Sequence, residues 1–352
     1  MNASQTQNSR ASYASKAFDF RFSAYLLAAL FLLVFSVIFA TGSGSIELSS
    51  QQVFDALFVC SQGAVGCDIS AVNYQILWEI RLPRIIMAMI TGAGLSASGA
   101  ILQSVTRNPL ADPYLFGISS GASLGAVIVM AAISSAIISI TAGALIGGAL
   151  SVVLMLALAG KSATQVEKLL LSGVAVSFML SAFTSLTLYY SSPETAASLL
   201  YWMMGSFSNS QWSELGLPII TLFLGVATFF LYRRWLVVMQ AGDESAITLG
   251  IPVHRLRLGM LIVCSAITAV LVAHVGGIGF VGLMIPHISR FIVGAQVHRV
   301  LLMSLVIGAS FMVWVDVVAR SLLEHQVLPV GVVTSAMGSL FFFIILKRRT
   351  RS

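Results

Sequence analysis

Apolar runs of roughly 20 residues, the length that takes a helix across a bilayer, recur about ten times in this chain. They lie near residues 22–41, 84–105, 115–133, 137–159, 168–190, 213–232, 257–274, 279–294, 299–320 and 330–346. The third and eighth are short or interrupted by glycine. A soluble domain has about 25% charged residues, whereas here 9% are charged and 58% are apolar. The expected fold is therefore an all-α polytopic membrane protein with about ten transmembrane helices. The first run is longer than a signal-peptide core and has Arg10, Lys16 and Arg21 on its flank. It reads as an uncleaved first span. Residues 1–20, rich in Ser, Asn and Gln, are expected to form a disordered cytoplasmic tail. Residues 21–347 form one membrane domain, and 348–352 a basic cytoplasmic tail.

Orientation follows from Lys and Arg in the short loops. With the N-terminus in the cytoplasm, sixteen of the nineteen basic residues fall inside. Only Arg81, Arg84 and Arg320 fall outside. An even number of spans returns the C-terminus to the cytoplasm as well. The outside segments carry Glu47, Asp55, Asp68, Glu79, Glu194 and Glu214. The net charge of +6 sits at the ends of apolar runs rather than on one face, which argues against a nucleic-acid partner. Cys60 and Cys67 share the outside segment 42–80 and fit either a disulfide or two unpaired thiols. With Cys264 they match no zinc or redox spacing, so no metal site is expected.

Several motif matches fail on context. Gly160-Lys161-Ser162 resembles the end of a P-loop, but Met155 stands where the earlier glycine belongs. Gly277-Ile-Gly279-Phe-Val-Gly282 fits G-x-G-x-x-G without a βαβ unit around it, and reads as a tight bend between helices. Gly117 to Gly121 and Gly121 to Gly125 both fit G-x-S-x-G, with Ser119 or Ser123 as nucleophile and His274 or His287 as base. Overlapping small-residue spacing for helix packing explains the same glycines.

Intramembrane charge is scarce. Asp316 has Arg320 four residues on, the spacing of a local pair. An ion-coupled carrier would need more, so the energy for transport is expected to come from a partner. The longest inside loop, 233–257, offers the place. Asp243 and Glu244 follow Gly242, Ala246, Ile247 and Leu249 form an apolar edge, and Gly250 and Pro252 stop it. This reads as a short surface helix, either a solvated connector or a docking element for a cytoplasmic protein. On the other side, Arg81 and Arg84 share one face of a helix start. With Arg320 they form either interfacial anchors, paired with Glu79 and Asp316, or a cationic patch for a soluble partner's carboxylates.

The segment RLPR…GAGLSASGAILQ…RNPLADPYLFGISSGASLGA resembles the permease subunits of binding-protein-dependent ABC importers for iron chelates and vitamin B12. SPETAASLLYWMMGSF, GDESAITLGI, GGIGFVGLMIPHISRFIVG and DVVARSLLEHQVLPVGVVTSAMGSLFFFIIL agree with that family. The resemblance covers nearly all of the chain beyond residue 20. It implies a homodimer or close heterodimer of ten-helix subunits in the bacterial inner membrane, among lipid. Two cytoplasmic ATPase subunits, which hold the ATP and magnesium, would dock below, and a periplasmic binding protein above. This chain itself would be no enzyme and hold no cofactor. By the same resemblance Arg81, Arg84 and Arg320 would receive glutamates of the binding protein. Asn108 and Leu110 would contribute to a cytoplasmic gate. Asp243, Glu244, Ala246, Leu249 and Gly250 would belong to the element that couples to the ATPase. The cargo implied is an iron chelate, a ferric siderophore or haem, with cobalamin as the alternative. Outside the family stand an ion-coupled secondary carrier and an intramembrane serine hydrolase. The Cys60/Cys67 pair is not a family feature.

Overall fold

The computed structural model describes residues 3–44, 49–56, 60, 69–132, 139–160, 165–323 and 326–349. Its helices are α1 (Ala3–Gly42), α2 (Ser50–Phe54), α3 (Ala71–Gln75), α4 (Leu82–Thr106), α5 (Ile118–Ala132), α6 (Ile140–Ala159), α7 (Val166–Tyr189), α8 (Pro193–Met203), α9 (Gly216–Leu231), α10 (Arg233–Gln240), α11 (Asp243–Thr248), α12 (Val253–Val275), α13 (Val281–Val293), α14 (Val297–Ser321) and α15 (Val330–Arg349). No strand occurs among the described residues. Among the described residues seven helical stretches are long and apolar enough to cross a membrane, and three shorter apolar ones lie at 118–131, 281–293 and 330–345. These match the positions of the apolar runs in the sequence. The chain is an all-α, multi-pass membrane protein.

Two boundaries differ from expectation. α1 begins at Ala3, so the polar segment expected to be disordered is helical. Ala3, Ala11, Ala14 and Ala17 favour helix there, and extending an existing apolar helix avoids the cost of a new nucleus. The second span also starts early, because helix runs without a break from Ala71 to Thr106. Residues Ile76–Arg81 take a π-turn, with the Leu82 N–H bonded five residues back to Leu77 O. Pro83 explains the slip: it has no N–H to continue the ordinary ladder.

α4 lies at the centre and is buried on nearly every face. A helix apolar all round must be enclosed by others, and α14, α12, α13 and α9 enclose it. The small residues of α4 make this possible. A Cβ on Gly92 would collide with Gly308 O of α14, and one on Gly99 with Gly282 O of α13. Ser96 Oγ donates to Ser304 O across the α4–α14 crossing at 2.7 Å. In lipid, such close backbone approach and interhelical hydrogen bonding replace the hydrophobic drive. α5 and α6 cross in the same manner, with Gly121 and Gly125 against Gly147 and Gly143. Gly121 and Gly125 of the G-x-S-x-G matches are thus packing residues, and Gly117 is a left-handed cap with φ of 75°. Among the described residues neither Ser119 nor Ser123 bonds a histidine, and His274 Nδ1 lies 2.8 Å from Val270 O.

Between α1 and α4 a satellite core forms from Val53, Ala56, Cys60, Ile69, Leu77 and Leu82. Ser49 and Gln52 close a capping box at the start of α2. Trp78 stacks on Trp212 at 6.2 Å, and Trp212 Nε1 donates to Trp78 O at 2.7 Å. Cys60 is disulfide-bonded. Cys67 lies outside the described residues.

Candidate gating and coupling site

At one end of the bundle, α4 stops at Arg107, a left-handed residue with φ of 51°. Pro109 forbids another helical turn. The Asn108 side chain then closes the turn: its Oδ1 accepts the Leu110 N–H at 2.9 Å, and its backbone O accepts Ala111 N–H at 3.1 Å. This Asx-type turn leaves Leu110 58% exposed. Asp112 follows and caps the short helix Pro113–Phe116, its Oδ1 accepting the Tyr114 N–H at 2.8 Å. Burial pushes the Asp112 carboxyl up to about 6, against the opposing pull of the Tyr114 N–H. Tyr114 reaches on to the bend between α12 and α13, where its hydroxyl accepts the Ile278 N–H at 2.8 Å. That bend is the G-x-G-x-x-G stretch, and Phe280 adopts φ of 69° within it.

α10 and α11 pack beside this turn. α11 is bracketed by glycines at positive φ, Gly242 at 119° and Gly250 at 78°. Gly250 N–H bonds Ile247 O and Ile251 N–H bonds Ala246 O, the pairing of a Schellman stop. Asp243 turns inward. Its carboxylate takes both hydrogen bonds from Arg257 Nη2, at 2.8 and 3.0 Å, and lies 3.1 Å from Arg107 Nη2. Arg257, buried on α12, also donates from Nε to Val105 O at 3.0 Å. Ala246 is fully buried, while Glu244, Ile247 and Leu249 face outward. The outward apolar edge is therefore Ile247 and Leu249, not Ala246. The sequence singled out Asp243 but not its partners Arg107 and Arg257. Arg257 lies fourteen residues beyond Asp243, and Arg107 on a different helix end far earlier in the chain, so their meeting at Asp243 follows only from the tertiary packing of α4 on α12.

At the other end of α4 the three remaining arginines do converge, but they face inward rather than forming an open patch. Arg84 Nε bonds Asp316 Oδ1 at 2.8 Å. Arg320 Nε lies 3.5 Å from Asp316 Oδ2, so the cross-helix partner holds Asp316 more closely than the local one. Arg81 Nη1 donates to Thr41 O at 2.8 Å and Gly42 O at 3.2 Å. Arg320 donates to Ser43 O at 2.8 Å and Ala40 O at 2.5 Å. Arg81 and Arg320 thus satisfy the open carbonyls at the C-terminus of α1, where a cation is favoured. Arg81 is 5% and Arg84 9% exposed. The requirement that buried guanidinium groups find acceptors outweighs exposure to solvent here.

Residues 32–348 match the FecCD transport family. A cobalamin import system permease protein of Halobacterium salinarum is 40% identical over 276 residues, covering 78% of this chain and 74% of that protein. A ferric enterobactin transport system permease protein of Escherichia coli is 35% identical over 311 residues, covering 88% and 91%. A solved structure described as an inward-facing conformation of a metal-chelate type ABC transporter matches with a TM-score of 0.82 at 29% identity, over 93% of this chain and 99% of that one. ABC permeases of this kind are transport components rather than enzymes, and work with ATPase and substrate-binding partners. The family match, relatives aligned along most of their length and the shared helical architecture together place the chain in the FecCD transport family, as the membrane-spanning permease subunit of an ABC importer.

Proposed function

We propose that this permease moves an iron chelate across a bacterial inner membrane, working as two copies with the N- and C-termini in the cytoplasm. The observation that supports a chelate is a cavity of ≈ 340 Å³ between the α8 end, the α12 end and the start of α15. Tyr201, Trp202, Ser206, Asn209 and His274 line it, and no Asp, Glu, Lys or Arg does so among the described residues. A bare metal ion would need a set of carboxylate, thiolate or imidazole ligands, of which His274 is a single member here, and a small oxyanion is held best by guanidinium or ammonium groups. A chelate hides the metal charge behind its own organic surface, which aromatic and neutral polar walls suit. Cobalamin is a second reading, supported by the relative from Halobacterium salinarum, and its corrin ring meets the same requirement.

In this reading Leu110 and Asn108 form part of the cytoplasmic gate, and the Ile247/Leu249 edge with Glu244 seats on the ATPase. The substrate-binding protein docks at the opposite end, over Arg81, Arg84 and Arg320. The geometry sets a condition on that docking: the partner's carboxylates compete with α1 carbonyls and Asp316 for the guanidinium groups. Substrate is tested with the reconstituted complex in proteoliposomes, offered ⁵⁵Fe-siderophore, ⁵⁵Fe-haem and ⁵⁷Co-cobalamin in parallel. ATP-dependent uptake of an iron chelate supports the first reading. Uptake of cobalamin alone replaces it with the second.

A further inference from the structure

We propose that Arg107, Asp243 and Arg257 form an ionic strap that makes α11 and the turn after α4 move as one body, so that a push on α11 reaches Leu110. This rests on the gate and coupling roles given above, and it deepens them. It also changes the part played by Asp243, which acts inside the permease rather than on the ATPase.

Four observations converge on it. First, one carboxylate joins both sides of the α4 terminus: directly through Arg107, and through Arg257, whose Nε is bonded to Val105 O. Arg107 is the residue immediately before the Asn108–Leu110 turn. Second, α11 has little else to hold it, since Ala246 is its only buried side chain among the described residues. The side-chain links from α11 to α4 are therefore the Asp243–Arg107 ion pair and the hydrogen bonds relayed through buried Arg257. Third, Gly242 and Gly250, both at positive φ, stand where α11 would pivot. Fourth, a cavity of ≈ 620 Å³ lies alongside, lined by Arg107, Pro109, Gln240 and Arg290 among others. The turn and the end of α10 thus have space to shift without displacing packed core.

A strap that only anchors α11 would affect folding and ATPase docking. A strap that transmits motion affects the yield of transport per ATP while leaving hydrolysis in place. The test uses the full complex in nanodiscs, with spin labels at Ser245 and Leu110. The distance between them is expected to stay constant when ATP is added to the otherwise native chain, and to change on ATP addition in Arg107→Ala. A change with ATP in the native chain overturns the strap, as does an Arg107→Ala complex that behaves like native. The second arm uses proteoliposomes. Both variants are expected to keep ATP hydrolysis; Arg107→Ala is expected to lose up to about fivefold in substrate moved per ATP, the scale of a half-exposed ion pair, and Asp243→Asn, which also weakens the hydrogen bonds from Arg257, about tenfold. Arg107→Lys restores much of it. The double variant is expected to be no worse than Asp243→Asn alone, because both remove the same link. Additive losses, or losses of hydrolysis and transport in equal proportion, overturn the proposal. A native complex that moves nothing with ATP counts against the importer reading, whereas the label distances report on the strap without any transport.

Discussion

Asp316 is the carboxylate on which two arginines converge, and its removal gives a sharp test of the helix-packing account. The side chain is 1% exposed, and those of Arg84 and Arg320 are 11% and 8% exposed. Arg84 Nε sits at 2.8 Å and Arg320 Nε at 3.5 Å. Deleting one partner of a buried pair leaves an uncompensated charge and costs about 3–5 kcal/mol. Asp316→Ala is therefore expected to lower the unfolding free energy by that amount. Asp316→Asn keeps an acceptor for Arg84 Nε but loses the charge, for a cost of about 1.5–3 kcal/mol. The double variant Arg84→Met/Asp316→Leu removes the pair cleanly and should recover most of the loss, since apolar replacements of buried pairs are often neutral. Arg320 keeps its Ala40 and Ser43 carbonyls in that variant. The assay is unfolding of detergent-solubilised protein by increasing SDS mole fraction, followed by circular dichroism. A loss below about 1 kcal/mol for Asp316→Ala, the value of a surface pair, would mean that Asp316 is not held as a buried ion pair. The same geometry argues that Arg84→Glu unfolds the Arg81/Arg84/Arg320 end of the bundle, because it sets a second carboxylate against Asp316.

Gly308→Leu is expected to destabilise by at least about 1–3 kcal/mol through overpacking at the α4–α14 crossing, read by the same SDS titration; native-like stability would mean that the helices do not meet there. Leu249→Asp changes an exposed side chain, so stability should stay within about 0.5 kcal/mol while co-purification of the ATPase is lost; retained co-purification contradicts the assignment of that edge. Asp112 supplies a pH dependence. Its carboxyl titrates at about 6 in the fold against an ordinary 3.8, so the stability held by its neutral form is fully present below the lower value and is lost as pH rises through about 6. Asp112→Asn, which keeps an acceptor for the Tyr114 N–H, is expected to stabilise at pH 7.5 by up to about 3 kcal/mol and to have little effect at pH 4; an equal effect at both pH values would contradict it.

The apolar helices were legible in the sequence because apolar length marks them: among the described residues seven are long enough to cross a membrane and three are shorter. The role of Gly92 and Gly99 was half legible. Their small size announced close packing, but whether they faced the pathway or a neighbour depended on which helix lay opposite, and that is α14 for one and α13 for the other. The arginines were legible as exceptions to the charge pattern and illegible as to direction. Burial of Arg81 depends on the C-terminus of α1 arriving beside it, a contact between residues some forty positions apart, and that of Arg84 on Asp316 of α14. Asp316–Arg320 could be read from i, i+4 spacing, whereas the shorter bond to Arg84 spans 232 positions and left no local signal. At the other end, Gly242 and Gly250 marked the bounds of α11 correctly, because positive φ and a Schellman stop are local chemistry. The inward turn of Asp243 was hidden, since an acidic residue at a helix start also suits the helix dipole without any partner.

An ABC permease is driven by ATP hydrolysed in a partner subunit rather than by an ion gradient. The most direct measurement compares two sets of proteoliposomes carrying the same amount of permease. One contains the permease alone under a proton or sodium gradient; the other contains the permease with its ATPase, its substrate-binding protein outside and ATP inside. Accumulation of the metal chelate is expected only in the second set, abolished by a non-hydrolysable ATP analogue. Gradient-driven accumulation by the permease alone would contradict it.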